Sequence, residues 1–210
     1  MNIKAVIFDL DGVFVSTDVY HYQAWKAIAD QEGIYFDPEI NQGLRGVSRM
    51  ESLEVLLRRA TREYTPEEKE RLAQRKNEIY RRLLDQLTPA AILPGVLALL
   101  EELRAQKIEI AIGSSSKNTP VILKKIGFGH YFDAVADGSQ ISNSKPDPEV
   151  FLLAAKKLGI NPADCVVVED AEAGLLAARA AGMYALGIGD PAQLPSAVRV
   201  ITSLKEFNLA

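Results

Sequence analysis

The chain has 210 residues, 24 Lys and Arg against 28 Asp and Glu, and a single cysteine, Cys165. That length supports one well-filled core with room for a second small module, and the mildly acidic balance gives no electrostatic footprint for nucleic acid or an anionic membrane. A lone cysteine excludes an internal disulfide, no apolar run reaches the length of a membrane span, and no basic stretch leads into an apolar leader, so the expectation is a cytoplasmic protein.

The first predicted strand, Ile3 to Phe8, runs directly into Asp9-Leu10-Asp11-Gly12. A carboxylate where a buried strand gives out is the usual position for chemistry in an open α/β sheet. Two acids one residue apart can divide the work, one attacking while the other moves a proton. The same residues also suit a strand followed by an Asx turn with solvated acids. From Asp18 to Leu87 there is no strand-like run, only amphipathic helical patterning rich in Arg, Lys and Glu, with Pro66 at a helix start. Pro94-Gly95, just past Thr88-Pro89, marks the return to alternating strands and helices.

Ile108 to Ile112 is the next predicted strand, and it leads through Gly113-Ser114-Ser115-Ser116-Lys117-Asn118 into a predicted helix over Val121 to Ile126. Hydroxyls and backbone N–H groups at a strand-to-helix turn, with a lysine beside them, form a cradle for phosphate; an ordinary polar loop with a helix cap has the same composition. Ala134 to Ala136 is a short strand. In Lys145-Pro146 the proline keeps Lys145 extended, where it can neutralise a phosphoryl group. The strand Cys165 to Val168 ends in a second acidic pair, Glu169-Asp170, ahead of a small-residue helix from Glu172 to Ala181, and Ala185 to Ile188 is the last predicted strand. A hard cation such as Mg2+ takes oxygen ligands, which Asp9 and Asp170 can supply together. The pattern predicts an α/β fold: a Rossmann-like parallel sheet core from residues 1–15 and 88–210, with a helical cap domain, 16–87, inserted after the first strand and hanging over the strand ends.

Asp9-Leu10-Asp11-Gly12, Ser114, Lys145 and Glu169-Asp170 resemble the four motifs of the haloacid dehalogenase superfamily, whose members mostly transfer phosphoryl groups through an aspartyl phosphate. The resemblance covers essentially the whole chain. It is closest to the β-phosphoglucomutase branch through Tyr20-His21, Ala24-Trp25, Leu44-Arg45-Gly46-Val47-Ser48-Arg49, Arg75-Lys76-Asn77, Pro94-Gly95, Ser116-Lys117-Asn118 and Tyr131-Phe132-Asp133-Ala134. The resemblance implies Asp9 as nucleophile, Asp11 as general acid and base, and Ser114 and Lys145 as holders of the transferring phosphoryl group. It implies Mg2+ held by Asp9, the backbone carbonyl of Asp11, and Asp170, with Glu169 helping directly or through water. It places a second, non-transferring phosphate on Arg49, Ser116, Lys117 and Asn118, and substrate contacts from the cap at Thr17, His21, Trp25, Arg45, Gly46, Val47 and Lys76. The branch often carries Lys at the position of Arg45, and Asp at that of Ser16.

The expected activity is therefore interconversion of β-glucose 1-phosphate and glucose 6-phosphate through glucose 1,6-bisphosphate, by a monomer whose partner is a small sugar phosphate. A sugar phosphate phosphatase would use the same Asp9 and Asp11 with water as acceptor.

Overall fold

The structure is a computed structural model and describes residues 2–208. In chain order its main elements are β1 (Ala5–Phe8), α1 (Asp18–Gln31), α2 (Pro38–Gln42), α3 (Arg49–Leu57), α4 (Pro66–Leu83), α5 (Val96–Ala105), β2 (Glu109–Gly113), α6 (Thr119–Lys125), β3 (Ala134–Ala136), α7 (Glu149–Leu158), β4 (Cys165–Glu169), α8 (Glu172–Ala180), β5 (Tyr184–Ile188) and β6 (Arg199–Ile201). The six strands form one parallel sheet in the order β3-β2-β1-β4-β5-β6. Chain order reverses direction at β1, and such a switch point leaves a crevice at the carboxyl ends of the strands on either side.

Side chains alternate between the two faces of each strand. Val6, Phe8, Ile110, Ile112, Val166 and Val168 pack with the leucines of α5 on one face, while Ala5, Ile7, Ala111, Cys165 and Val167 pack under α7 and α8 on the other. Burial on both faces is why the central strands read as unbroken apolar runs. Helices α1, α3 and α4 share a cluster of their own, built on Trp25, Ile28, Leu53, Leu56, Leu72 and Ala73. Ser48 and Thr65 open α3 and α4 with reciprocal capping boxes to Glu51 and Glu68, and Pro66 occupies the first turn of α4.

Register positions the chemistry. Phe8 lies level with Ile112 of β2 and Val168 of β4, so the next residues on the three strands emerge side by side, and the Asp9 N–H donates to Val168 O at 2.9 Å. The structure corrects the sequence reading at element edges. Strand β1 begins at Ala5 and not Ile3, β4 extends through Glu169, β5 begins at Tyr184, and α6 begins at Thr119, because Pro120 suits a first helical turn. Strand β6 is not anticipated by the sequence: it is three residues long, pairs only with β5 and is half exposed, so it carries no apolar run.

Candidate active site

Asp9 lies at the floor of the crevice, 5% exposed. The fully buried Lys145 donates to Asp9 Oδ1 and, at 2.8 Å, to Glu169 Oε2, while its ammonium lies 4.7 Å over the Phe151 ring. Burial opposes the lysine charge, but the carboxylates of Asp9 and Glu169 overcome it and hold the ammonium above its ordinary range. Glu169 is also fully buried and accepts the Ala171 N–H at 3.2 Å. Burial, with the Asp9 charge adding, raises its carboxyl well above the ordinary value.

Asp11 points elsewhere. Thr17 Oγ1 donates to Asp11 Oδ1 and itself accepts from Tyr80 Oη at 3.1 Å. Burial, with the charges of Asp9 and Asp18 adding, raises the Asp11 carboxyl from 3.8 to about 7 against the Thr17 hydrogen bond. A carboxyl poised there can give or take a proton near neutral pH. Thr17 is buried behind Asp11 and does not line the cavity described below, so the sugar contact expected of it is replaced by a contact to the acid.

Oxygens of Asp9, Glu169 and Asp170 lie within 4.8 Å of one another. The one ion pair of Asp170 among the described residues is with Arg45 Nη1 at 3.7 Å, while Arg45 Nη2 donates to Asp18. Three carboxylates therefore converge around a single buried ammonium, with Asp170 only distantly paired, and an oxygen-rich site with surplus negative charge fits Mg2+. Gly12, at φ +86°, makes room for this arrangement: a Cβ there would stand 2.1 Å from Asp170 Oδ2.

Burial, with Asp9 adding, also raises Asp170 to about 7 from 3.8. Both Asp11 and Asp170 thus bind protons more tightly folded than unfolded. Between pH 4 and 7 these two groups hold extra protons in the folded chain, so their contribution to stability is greatest at the acid end and falls as pH rises, while the lowered His21 works against it. In EDTA the expected slope is about 1 kcal/mol per pH unit per group, or roughly 3 °C in Tm. Added MgCl2 is expected to raise Tm more at pH 8 than at pH 5, because ligation requires the ionised carboxylates. Thermal melts with and without Mg2+ across this range check it, and a pH-independent Mg2+ increment would contradict the assignment.

Above the floor lies a cavity of about 550 Å3. Asp9, Asp11, Ser114, Ser116, Lys117, Asn118 and Asp170 line it from the sheet side, and His21, Trp25, Arg45, Gly46, Val47, Arg49 and Lys76 from the helical insert. Of the sequence-predicted site residues only Thr17, Lys145 and Glu169 stand behind the lining. Ser114 Oγ accepts the Ser116 N–H at 3.1 Å, and Ser116 Oγ accepts the Asn118 N–H at 3.2 Å, so the turn after β2 is knit by its own hydroxyls. Asn118 Nδ2 reaches across to Asn77 Oδ1 at 2.9 Å.

Lys76 is 3% exposed. Its Nζ shares a hydrogen bond of 2.9 Å with His21 Nδ1 and stands 5.0 Å over the Trp25 ring and 4.6 Å over the Tyr80 ring. Burial, with Arg49 adding, lowers its amine to about 7 from 10.5. Burial also drives His21 well below its ordinary value, with Lys76 and Arg49 opposing its charge further. Sequence reasoning does not find Tyr80 as the partner of Thr17, nor Asn41, Glu70 and Gln74 on the cavity lining. Ala73, Lys76, Asn77 and Tyr80 fall at helical spacing on one face of α4, which is the signal for Tyr80.

Fold and site together define an α/β enzyme with a carboxylate-rich floor at the ends of parallel strands, roofed by an inserted set of helices. The chain belongs to the haloacid dehalogenase-like hydrolase family, whose model matches residues 3–182. It is 44% identical over 209 residues to the β-phosphoglucomutase of Bacillus subtilis, covering 99% of this chain and 92% of that protein. The fructose-1-phosphate phosphatase YqaB of Escherichia coli is 33% identical over 184 residues, 87% of this chain and 95% of that one. Among solved structures, β-phosphoglucomutase from Clostridium difficile matches with a TM-score of 0.92 at 40% identity, covering 99% of this chain and 94% of that one.

Proposed function

We propose that this enzyme is a phosphomutase that interconverts β-D-glucose 1-phosphate and D-glucose 6-phosphate through an aspartyl phosphate on Asp9 and a glucose 1,6-bisphosphate intermediate. The observation that carries the reading is that one cavity is lined by Asp9 and Ser114, with Lys145 bonded to Asp9 behind them, and also by Arg49, Ser116, Lys117 and Asn118, two groups that we assign to the two phosphates of a bisphosphate. One phosphate site would serve a phosphatase; two serve a bisphosphate that must turn round. The 44% identity to a β-phosphoglucomutase over nearly the whole chain supports the same reading.

In this reading an Asp9 carboxylate oxygen attacks phosphorus, and the sugar oxygen leaves with a proton from Asp11. In the reverse transfer Asp11 takes the proton from the attacking sugar hydroxyl. Lys145 spreads positive charge along the floor, where the transferring oxygens gather negative charge, and the Ser114 hydroxyl lies beside it. Mg2+ on Asp9, Asp170 and the Asp11 carbonyl, with Glu169 behind, would neutralise part of that charge. The planar guanidinium of Arg49 can hold the other phosphate bidentately. His21, Trp25, Arg45, Gly46, Val47 and Lys76 face the sugar. Residues 16–87 act as a cap over the core of 1–15 and 88–210, and closure excludes water so that the aspartyl phosphate passes to sugar. The enzyme would act in the cytosol as a monomer on a small sugar phosphate.

Arg49→Ala is expected to lower mutase turnover about 100-fold, the equivalent of losing a charge-assisted contact of 2–3 kcal/mol, while slow phosphate release from β-glucose 1-phosphate persists. Parallel assays of glucose 6-phosphate and free phosphate check it. Equal loss of both activities would remove Arg49 from the distal site.

A further inference from the structure

A hydrogen bond joins the loop that carries Lys145 to the helix that carries Arg49. Ser144 Oγ donates to Glu51 Oε2, and the same oxygen accepts the Ser48 N–H at 2.8 Å within the capping box of α3. Burial pushes the Glu51 carboxyl upward, but the hydrogen bonds from Ser144 and Ser48 prevail and hold it below its ordinary value. Other links cross from sheet side to insert near the cavity: Asn118 to Asn77 and Ser115 Oγ, 3.5 Å from Gly46 O, both from the turn after β2, with Arg45 Nη1, 3.7 Å from Asp170, and Thr17 Oγ1 donating to Asp11 at the strand ends. Ser144 to Glu51 differs because each partner stands within two residues of a group assigned to a different phosphate, Lys145 on one side and Arg49 on the other. Ser144 belongs to the wall of the cavity itself.

We propose that the Ser144–Glu51 hydrogen bond sets the separation between the two phosphate-binding ends of the cavity and latches the insert closed over it, which makes Ser144 and Glu51 positioning residues for transfer to sugar over transfer to water. The proposal rests on the function given above. A bisphosphate spans a fixed length, so both ends must be held at once for the second transfer. Hydrolysis needs the floor alone, so an unlatched roof admits water to Asp9 and favours it.

Ser144→Ala removes the latch without touching the capping box, and Ser144→Thr keeps the hydroxyl. Two readings are taken on wild type and both variants: free phosphate released per glucose 6-phosphate formed from β-glucose 1-phosphate, and the radius of gyration by small-angle X-ray scattering without substrate. Ser144→Ala is expected to raise the phosphate ratio roughly threefold or more, the scale of a partly exposed charge-assisted hydrogen bond, and to enlarge the radius, with both restored in Ser144→Thr. An unchanged ratio with an unchanged radius in Ser144→Ala overturns the latch. If wild type releases phosphate alone, the mutase reading fails and the scattering decides by itself: a larger radius in Ser144→Ala supports the latch, and an unchanged one rejects it.

Discussion

Replacing Asp9 by Asn is expected to lower turnover by roughly 10,000-fold or more, the scale seen when an enzyme loses its covalent nucleophile, while the protein stays folded and still binds sugar phosphate. The substitution exchanges one oxygen for nitrogen and leaves the shape of the floor alone. Lys145 keeps its 2.8 Å contact to Glu169, so the buried ammonium is not orphaned. The amide lacks the nucleophilic carboxylate, and Asp11 cannot take its place, because its carboxyl is turned to Thr17 and raised to about 7 by burial. Loss of all turnover with retained binding, followed by calorimetric titration of glucose 6-phosphate, is the expected pair of results. Activity near wild type in Asp9→Asn would rule out the aspartyl phosphate.

Replacing Lys145 by Met is expected to be costly twice over. Removing one partner of a buried ionic cluster destabilises by about 3–5 kcal/mol, because the remaining charges lose their compensation. Here two carboxylates, Asp9 and Glu169, are left facing each other at the end of the sheet. The loss corresponds to a fall in Tm of about 10 °C. Turnover falls as well, since the transferring phosphoryl group loses its nearest fixed cation. A variant that melts like wild type at pH 8 would show that Lys145 is not the counter-ion of the floor.

Much of the core is legible in the sequence for a physical reason. Strands β1, β2 and β4 are covered on both faces, so they appear as apolar runs, and the acids that close them stand out as a break in hydropathy. The edge strand β6 has no such cover and no such run. Individual motifs show where chemistry can sit, but not who meets whom: Lys145 reaches Asp9 across 136 residues of chain, a contact that only the sheet order creates. Lys76 illustrates the opposite difficulty. In a run of Arg and Lys it reads as one more solvated charge; helical spacing puts it on one face with Tyr80, but the Trp25 that also covers it comes from α1, which nothing in that basic run announces. Arg45 ties Asp18 to Asp170, a role that depends on the guanidinium's two-pronged reach.

The most direct test of the central claim follows β-glucose 1-phosphate with Mg2+ and a trace of glucose 1,6-bisphosphate, recording glucose 6-phosphate and free phosphate in the same tube. A phosphomutase with two phosphate sites under a water-excluding roof produces glucose 6-phosphate far ahead of phosphate. Phosphate release without glucose 6-phosphate would contradict it and make the chain a sugar phosphate phosphatase.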